Sequence, residues 1–387
     1  MSEWPTVRFE ELAAAEKSAF SKPYGSAITK EDYIPQGIPV VRGVNLSKGV
    51  FLDDEFVFIS GEKADQIPGA NLAPGDLVFT HRGTVGQISM IPRTPRYHRY
   101  VLSTSQVKAR LDPKRSLPEF YYYWFSSPDG QHELLQNVST VGVPGLGQPV
   151  ATIKSLRVPS PPLTIQKSIA AALGALDDKI AVNERITLTA LELSRSIYRN
   201  FSADASTSSE LGNFVSLKYG KALREAERRE GATPVYGCTG QVGWHDTPLT
   251  SGPTPVVGRK GANAGWVSWS PKPCWVIDTA FFVDINAKFI SPEVAFLILE
   301  TANLPALVGD SAVPGLNRDA AHKQLIKVLE PAAAAEVSER VRPLMTQATR
   351  VEQESRTLAA LRDTLLPQLM SGKLRVRDAE RIVEDAL

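Results

Sequence analysis

Two glycine-bearing stretches without acidic residues hold the side chains best suited to chemistry. HRGTVGQISMIPRTPRYHRY (81–100) carries Arg82, Arg93, Arg96 and Arg99 with His81 and His98, interleaved with Tyr97 and Tyr100. GRKGANAGWVSWSPKPCW (258–275) carries Arg259, Lys260 and Lys272 with three tryptophans. LKYGKALRE adds Lys218, Lys221 and Arg224. Arginine and lysine beside glycine suit phosphate, because glycine lets the backbone come close. Arginine, asparagine and glutamine can also pair with base edges. One such stretch reads more simply as a solubilised hairpin over core tryptophans. Two equivalent stretches in a chain of net charge +1 point to nucleic acid.

Catalytic signatures are missing by comparison. The five histidines stand at 81, 98, 132, 245 and 322, without metal-helix spacing. Gly220-Lys221 and Gly372-Lys373 lack the rest of a phosphate loop. GRKGANAG is flanked by β-type runs and predicts a hairpin or tight loop, not a dinucleotide turn. No Asn-Pro-Pro-aromatic run and no nucleophile elbow occurs. The expectation is a non-catalytic chain with no metal. Cys238 and Cys274 predict neither a disulfide framework nor a zinc site, and a reducing cytoplasm is expected. No apolar run is long enough for a membrane span, and the N-terminus does not read as a signal peptide.

The elements that must position these stretches are written twice. Tyr24-Gly25 and Pro39 recur as Tyr219-Gly220 and Pro234, each 195 residues on. Arg82-Gly83 recurs as Lys260-Gly261, 178 on, and Thr104 as Thr279, 175 on. Pro118-Glu119 recurs as Pro292-Glu293 at 174, and the VPGL of 143–146 as that of 313–316 at 170. Order is kept while the offset only falls, as a tandem duplication with a shorter second copy requires. The VPGL stretches mark where each lobe runs into a helix. In the first helix Ile169, Leu173, Leu176 and Ile180 share one face, as do Ile186, Ala190, Leu193 and Ile197. In the second, Val337, Val341, Leu344, Ala348, Val351, Ser355, Leu358 and Leu365 form a coiled-coil seam. The expected plan is a first lobe at 1–162, a central helix at 163–201 and a Ser-rich linker at 202–213. A second lobe at 214–331 and a distal helix with tail at 332–387 follow. Short β-type runs and one helix per lobe make the lobes α+β. At 1.5 Å per residue a helix of this length spans roughly 50 Å, more than the ~34 Å between adjacent half-sites on one DNA face.

These residues resemble the specificity subunits of type I restriction-modification enzymes. The resemblance rests on GIPVVRGVNLSKG (37–49), LVFTHRGTVGQISMIP (77–92), LPEFYYYWFSS (117–127), VPSPPLTIQKSIAAALGALDDKI (158–180) and LRDTLLPQLMSGKLRV (361–376). It implies two target-recognition domains, each reading half of a bipartite double-stranded DNA sequence. Two long antiparallel helices would space them and dock methyltransferase subunits, two per chain. A restriction subunit would join for cleavage. S-adenosylmethionine, ATP and Mg²⁺ would belong to the partners, with no cofactor in this chain. The second helix begins LEPAAAAEVSERV and lacks a counterpart of Gln166, so the two ends are expected to meet partners unequally.

The candidate DNA contacts are Arg82 and Thr84 with His81 and Arg96 in the first lobe, and Arg259, Lys260 and Asn263 in the second. Tyr24, Ser26, Arg42, Asn45, Tyr219 and Lys221 form a second tier, for which a turn role competes equally. Candidate partner-docking residues are Ile169, Leu173, Leu176, Ile180, Val341, Leu344, Val351 and Leu358. The competing reading is an interaction scaffold whose lobes bind protein or glycan.

Overall fold

Residues 4–139, 142–203, 205, 207–309 and 314–386 are described by the computed structural model. Val313 of the second VPGL and positions 204 and 206 of the expected linker lie outside the described residues. The chain divides into two compact units, residues 1–180 with 357–387, and residues 181–356. Each unit therefore takes one lobe together with part of each long helix.

In the first unit LVFT supplies a wholly buried strand, Leu77–Thr80, between Gln106–Ala109 and Ile88–Met90, with Phe20–Ser21 at the far edge. A second sheet orders Val57–Ile59, Ile38–Val41, Tyr100–Leu102 and Asn71–Leu72, and Ile38–Val41 runs parallel to Tyr100–Leu102. Phe9, Phe79 and Phe125 meet edge-on inside the core beneath the first sheet. The helix Pro118–Ser126 packs there too, and it starts on a proline, whose missing N–H is no loss at that position. Thr6–Arg8 pairs with Arg157–Pro159, closing the lobe just before the first long helix.

The second unit repeats this order, except that its small sheet has no counterpart of Asn71–Leu72 among the described residues. Val215–Tyr219, Ala280–Ile285, Thr254–Gly258 and Val267–Ser270 form its larger sheet. Gly240–His245, Thr233–Gly237 and Trp275–Val276 form the smaller, with the same parallel pair between Thr233–Gly237 and Trp275–Val276. The helix Pro292–Thr301 stands where Pro118–Ser126 stands in the first lobe. The duplication read from the sequence is thus a duplication of topology.

The expected linker is corrected by its pairing. Ser208–Glu210 is a strand against Leu325–Lys327, the counterpart of the clasp made by Thr6–Arg8, and Leu211 is fully buried. Serine content mimicked a linker because this two-stranded clasp is an edge with little apolar surface of its own.

The long helices are Leu163–Ala203 and Pro331–Ser371. Within the first unit Ile169, Leu173 and Leu176 are fully buried in one core with Leu358, Leu365 and Leu369. Each such side chain stabilises by about 1.5–3 kcal/mol. Asp177 meets Arg362 at 2.7 Å beside that core, and the Tyr123 hydroxyl donates to the other Asp177 oxygen at 2.7 Å. Within the second unit Asn183 Nδ2 donates to Glu354 at 3.1 Å and the Thr187 hydroxyl to Ala348 O at 3.5 Å. Partner numbers fall as the first helix rises, so the helices run antiparallel. The buried stripe here is Asn183, Ala190, Ser194 and Tyr198. Leu193, expected on the inner face, is exposed, and Met345 is more deeply buried than Leu344.

That packing corrects the docking assignment. Ile169, Leu173, Leu176, Val341, Val351 and Leu358 are all buried within this chain. Ile180 is partly buried against the first core. An apolar seam at helical spacing served the chain's own core, leaving Leu344 as the candidate with open surface beside it.

Candidate nucleic-acid interface

The basic stretches sit on matching hairpins. His81–Gln87 connects Leu77–Thr80 to Ile88–Met90, and Arg259–Trp266 connects Thr254–Gly258 to Val267–Ser270. Gly83 (φ +87°) and Gly261 (φ +101°) turn each loop through the left-handed region that favours glycine.

The VPGL stretches hold these loops. Gly83 N–H donates to Pro144 O at 2.9 Å, and Leu146 N–H to His81 O at 3.0 Å. Gly261 N–H donates to Pro314 O at 2.9 Å, and Leu316 N–H to Arg259 O at 2.9 Å. Arg82 and Lys260 thereby form single β-bridges to Gly145 and Gly315. On the other side His81 N–H donates to Ser105 O and Arg259 N–H to Thr279 O, both at 2.9 Å. VPGL is therefore a rail for the basic loop. Its reading as the last turn before the long helix is corrected: Pro149–Ser155 and Arg157–Pro159 intervene in one copy, Arg318–His322 and Leu325–Lys327 in the other.

Beside each loop lies a polar cleft. In the first lobe it measures about 380 Å³ and gathers Arg42, Arg82, Thr84, Thr80 and Gln106. The Thr84 hydroxyl donates to Gln87 Oε1 at 2.7 Å, and Arg42 Nη2 donates to Glu55 O at 2.9 Å. In the second lobe the cleft measures about 360 Å³ and gathers Tyr219, Arg259, Lys260, Asn317, Arg318 and Asp319. Arg259 lies over the Tyr219 ring at 4.8 Å and donates through Nη1 to Asp278 O at 2.8 Å.

Other candidates have different tasks. Asn45 is buried: Oδ1 accepts from Arg42 N–H at 2.9 Å, and Nδ2 donates to Leu52 O at 3.2 Å and Asp54 O at 2.8 Å. It clamps the 42–54 loop from inside. His81 is buried with Nε2 at 3.1 Å from Thr104 O, and burial holds its pKa below the ordinary value. Arg96 lies over Tyr97 at 5.5 Å, with its backbone N–H on Asp53, and does not line the cleft. Tyr24 and Ser26 are exposed outside the lining, as is Lys221, whose backbone is tied to Val276 and Trp275. The Asn263 carbonyl accepts from Trp266 N–H at 3.1 Å, and Asn263 stands outside the second cleft.

Two of the four arginines in the acid-free stretch at 81–100 are neutralised from elsewhere. Arg93 makes a two-pronged pair with Glu119, and Arg99 meets Asp65 at 2.8 Å and Asn71 at 2.6 Å. Sequence reasoning missed Arg318, which lies over the Tyr219 ring at 5.2 Å, and Trp266, which is 63% exposed at the loop's end. The position of Arg318, two residues after the second VPGL, was the available signal.

Among the described residues, no group of three or more His, Cys, Asp or Glu side chains is arranged to hold a metal, and no helix is long and apolar enough to cross a membrane. Residues 1–192 match the family model described as "Type I restriction modification DNA specificity domain". No curated protein sequence matches the chain. Among solved structures, the chain is similar to the type I restriction-modification system S subunit from M. genitalium. That match has 16% identity and a TM-score of 0.64, covering 95% of this chain and 96% of the other. The HsdS subunit from Thermoanaerobacter tengcongensis matches at 14% identity and TM-score 0.37, covering 96% and 97%.

Proposed function

Starting from a chain that belongs, through residues 1–192, to the type I restriction-modification DNA specificity family, we propose that each lobe reads one half of a bipartite DNA sequence. The observation that carries this is the matched pair of clefts, each beside a basic glycine loop held by the same proline carbonyl rail. Arg82 and Thr84 in one cleft and Arg259 and Lys260 in the other offer donors for phosphate or base edges. The chain is the non-catalytic specificity subunit of a modification and restriction complex. S-adenosylmethionine, ATP and Mg²⁺ act in the methyltransferase and restriction subunits.

Methyltransferase docking falls on the helices, where an apolar groove of about 490 Å³ is lined by Val182, Ile186, Leu193 and Leu344. Val182 and Leu193 are exposed there, unlike the buried seam. Two methyltransferase subunits per chain accord with two lobes. The test is a methylome of cells with and without the gene. A two-part methylated motif that disappears on deletion supports the function; an unchanged methylome overturns it.

A further inference from the structure

The second cleft holds two guanidinium groups over one aromatic ring. Arg259 and Arg318 stand 4.8 and 5.2 Å from the Tyr219 centroid, and the ring also packs on Phe281 at 5.2 Å. Lys260 lines the same cleft. The one acid among the described lining residues, Asp319, meets Arg318 at 3.3 Å with its own side chain 74% exposed. Three cations against one carboxylate give the described lining residues a net charge of +2. Like charges brought to one ring repel each other, and an anion between them relieves that repulsion.

We infer that Arg318, together with Arg259 and Lys260, forms an anion site that takes a DNA backbone phosphate, with Tyr219 positioning both guanidiniums. This inference rests on the DNA-reading function proposed above. The paired guanidiniums over one ring are described in the second lobe. The residue in the same place after the first VPGL is Gln148, a neutral side chain. The first cleft is instead rich in hydroxyl and amide groups, from Thr80, Thr84 and Gln106. Arg42 and Arg82 give the first cleft the same net charge from its described lining, so the second differs in setting two guanidiniums over one ring and not in total charge.

The test uses the full chain assembled with its methyltransferase subunits and a fluorescent duplex of arbitrary sequence. Binding is titrated between about 50 and 200 mM salt. Losing one phosphate contact in Arg318→Gln lowers the magnitude of the slope of log K against log[salt] by about 0.9, and Arg318→Lys restores it. The methylated motif stays the same in both variants, because a phosphate contact carries no base identity. An unchanged slope in Arg318→Gln, with wild-type binding intact, overturns the anion site and leaves the DNA-reading function standing. A slope that holds while one position of the motif relaxes also overturns it, making Arg318 a base reader. A wild-type complex with no salt-dependent DNA binding removes the underlying function itself.

Discussion

Asn45 decides between two readings of the first lobe, and Asn45→Ala separates them. The side chain accepts from Arg42 N–H and donates to the carbonyls of Leu52 and Asp54, at 2.9, 3.2 and 2.8 Å. Alanine leaves one N–H and two carbonyls without partners in a site where Asn45 is 1% exposed. At about 1 kcal/mol net for each bond, the loss is about 3 kcal/mol. For a unit of this size each kcal/mol moves the melting temperature by about 2–4 °C, so the first unit should melt about 6–12 °C earlier. Asn45→Asp keeps the acceptor but turns a carboxylate oxygen toward two carbonyls, and should be at least as damaging. Since Arg42 lines the cleft, the first half-site should weaken as a whole. Scanning calorimetry, with methylation scored at each half of the motif, checks this. An unchanged melting temperature with relaxation at a single base would refute the clamp and restore Asn45 as a direct reader.

Three further outcomes follow from the same geometry. A Cβ at Gly258 would lie 2.2 Å from Asn263 O, whereas one at Gly315 would lie 3.6 Å from Arg259 O. Gly258→Ala should therefore abolish methylation that depends on the second half-site, and Gly315→Ala should keep it. His322 Nε2 accepts from Leu217 N–H at 3.0 Å, and burial lowers its pKa below the ordinary 6.5. A lowered histidine pKa gives stability that is fully present above 6.5 and lost as pH falls toward the folded value, so the second unit should melt earlier in acid. His322→Gln, which keeps an acceptor, should flatten that dependence in pH-resolved melting curves. Leu193→Glu places a charge on the apolar groove beside Leu344 and should reduce co-purification of methyltransferase by at least tenfold with melting unchanged.

Local sequence carried what is local. The hairpin at GRKGANAG, the two long helices and the ordered landmarks of the repeat were legible because glycine, proline and apolar spacing act over a few residues. What was illegible depends on distant partners. Arg93 and Arg99 looked free because Glu119 and Asp65 lie elsewhere in the chain. Asn45 was left between reader and turn residue because two of its partners are carbonyls, which sequence does not mark. The helical seam was located apart from Leu193 and Leu344 but assigned outward, since periodicity tells which residues share a face and not what covers it. Arg318 escaped because it lies 59 residues after Arg259 and their side chains meet over the Tyr219 ring, which sequence does not mark.

The two copies differ in an informative way. The bonds that hold each loop are backbone to backbone, through Gly83, Leu146 and His81 in one lobe and Gly261, Leu316 and Arg259 in the other. Backbone bonds do not depend on side-chain identity away from proline and the left-handed glycines. Cleft linings are side chains, and they have diverged: Thr80, Thr84, Ser103 and Gln106 stand with Arg42 and Arg82 in one, Tyr219, Lys260, Arg318 and Asp319 with Arg259 in the other. Such a frame lets a cleft change what it contacts without altering how its loop is held. The two VPGL rails thus account for both halves of the problem, a shared scaffold and unlike surfaces, and place the variation where a change of DNA target would need it.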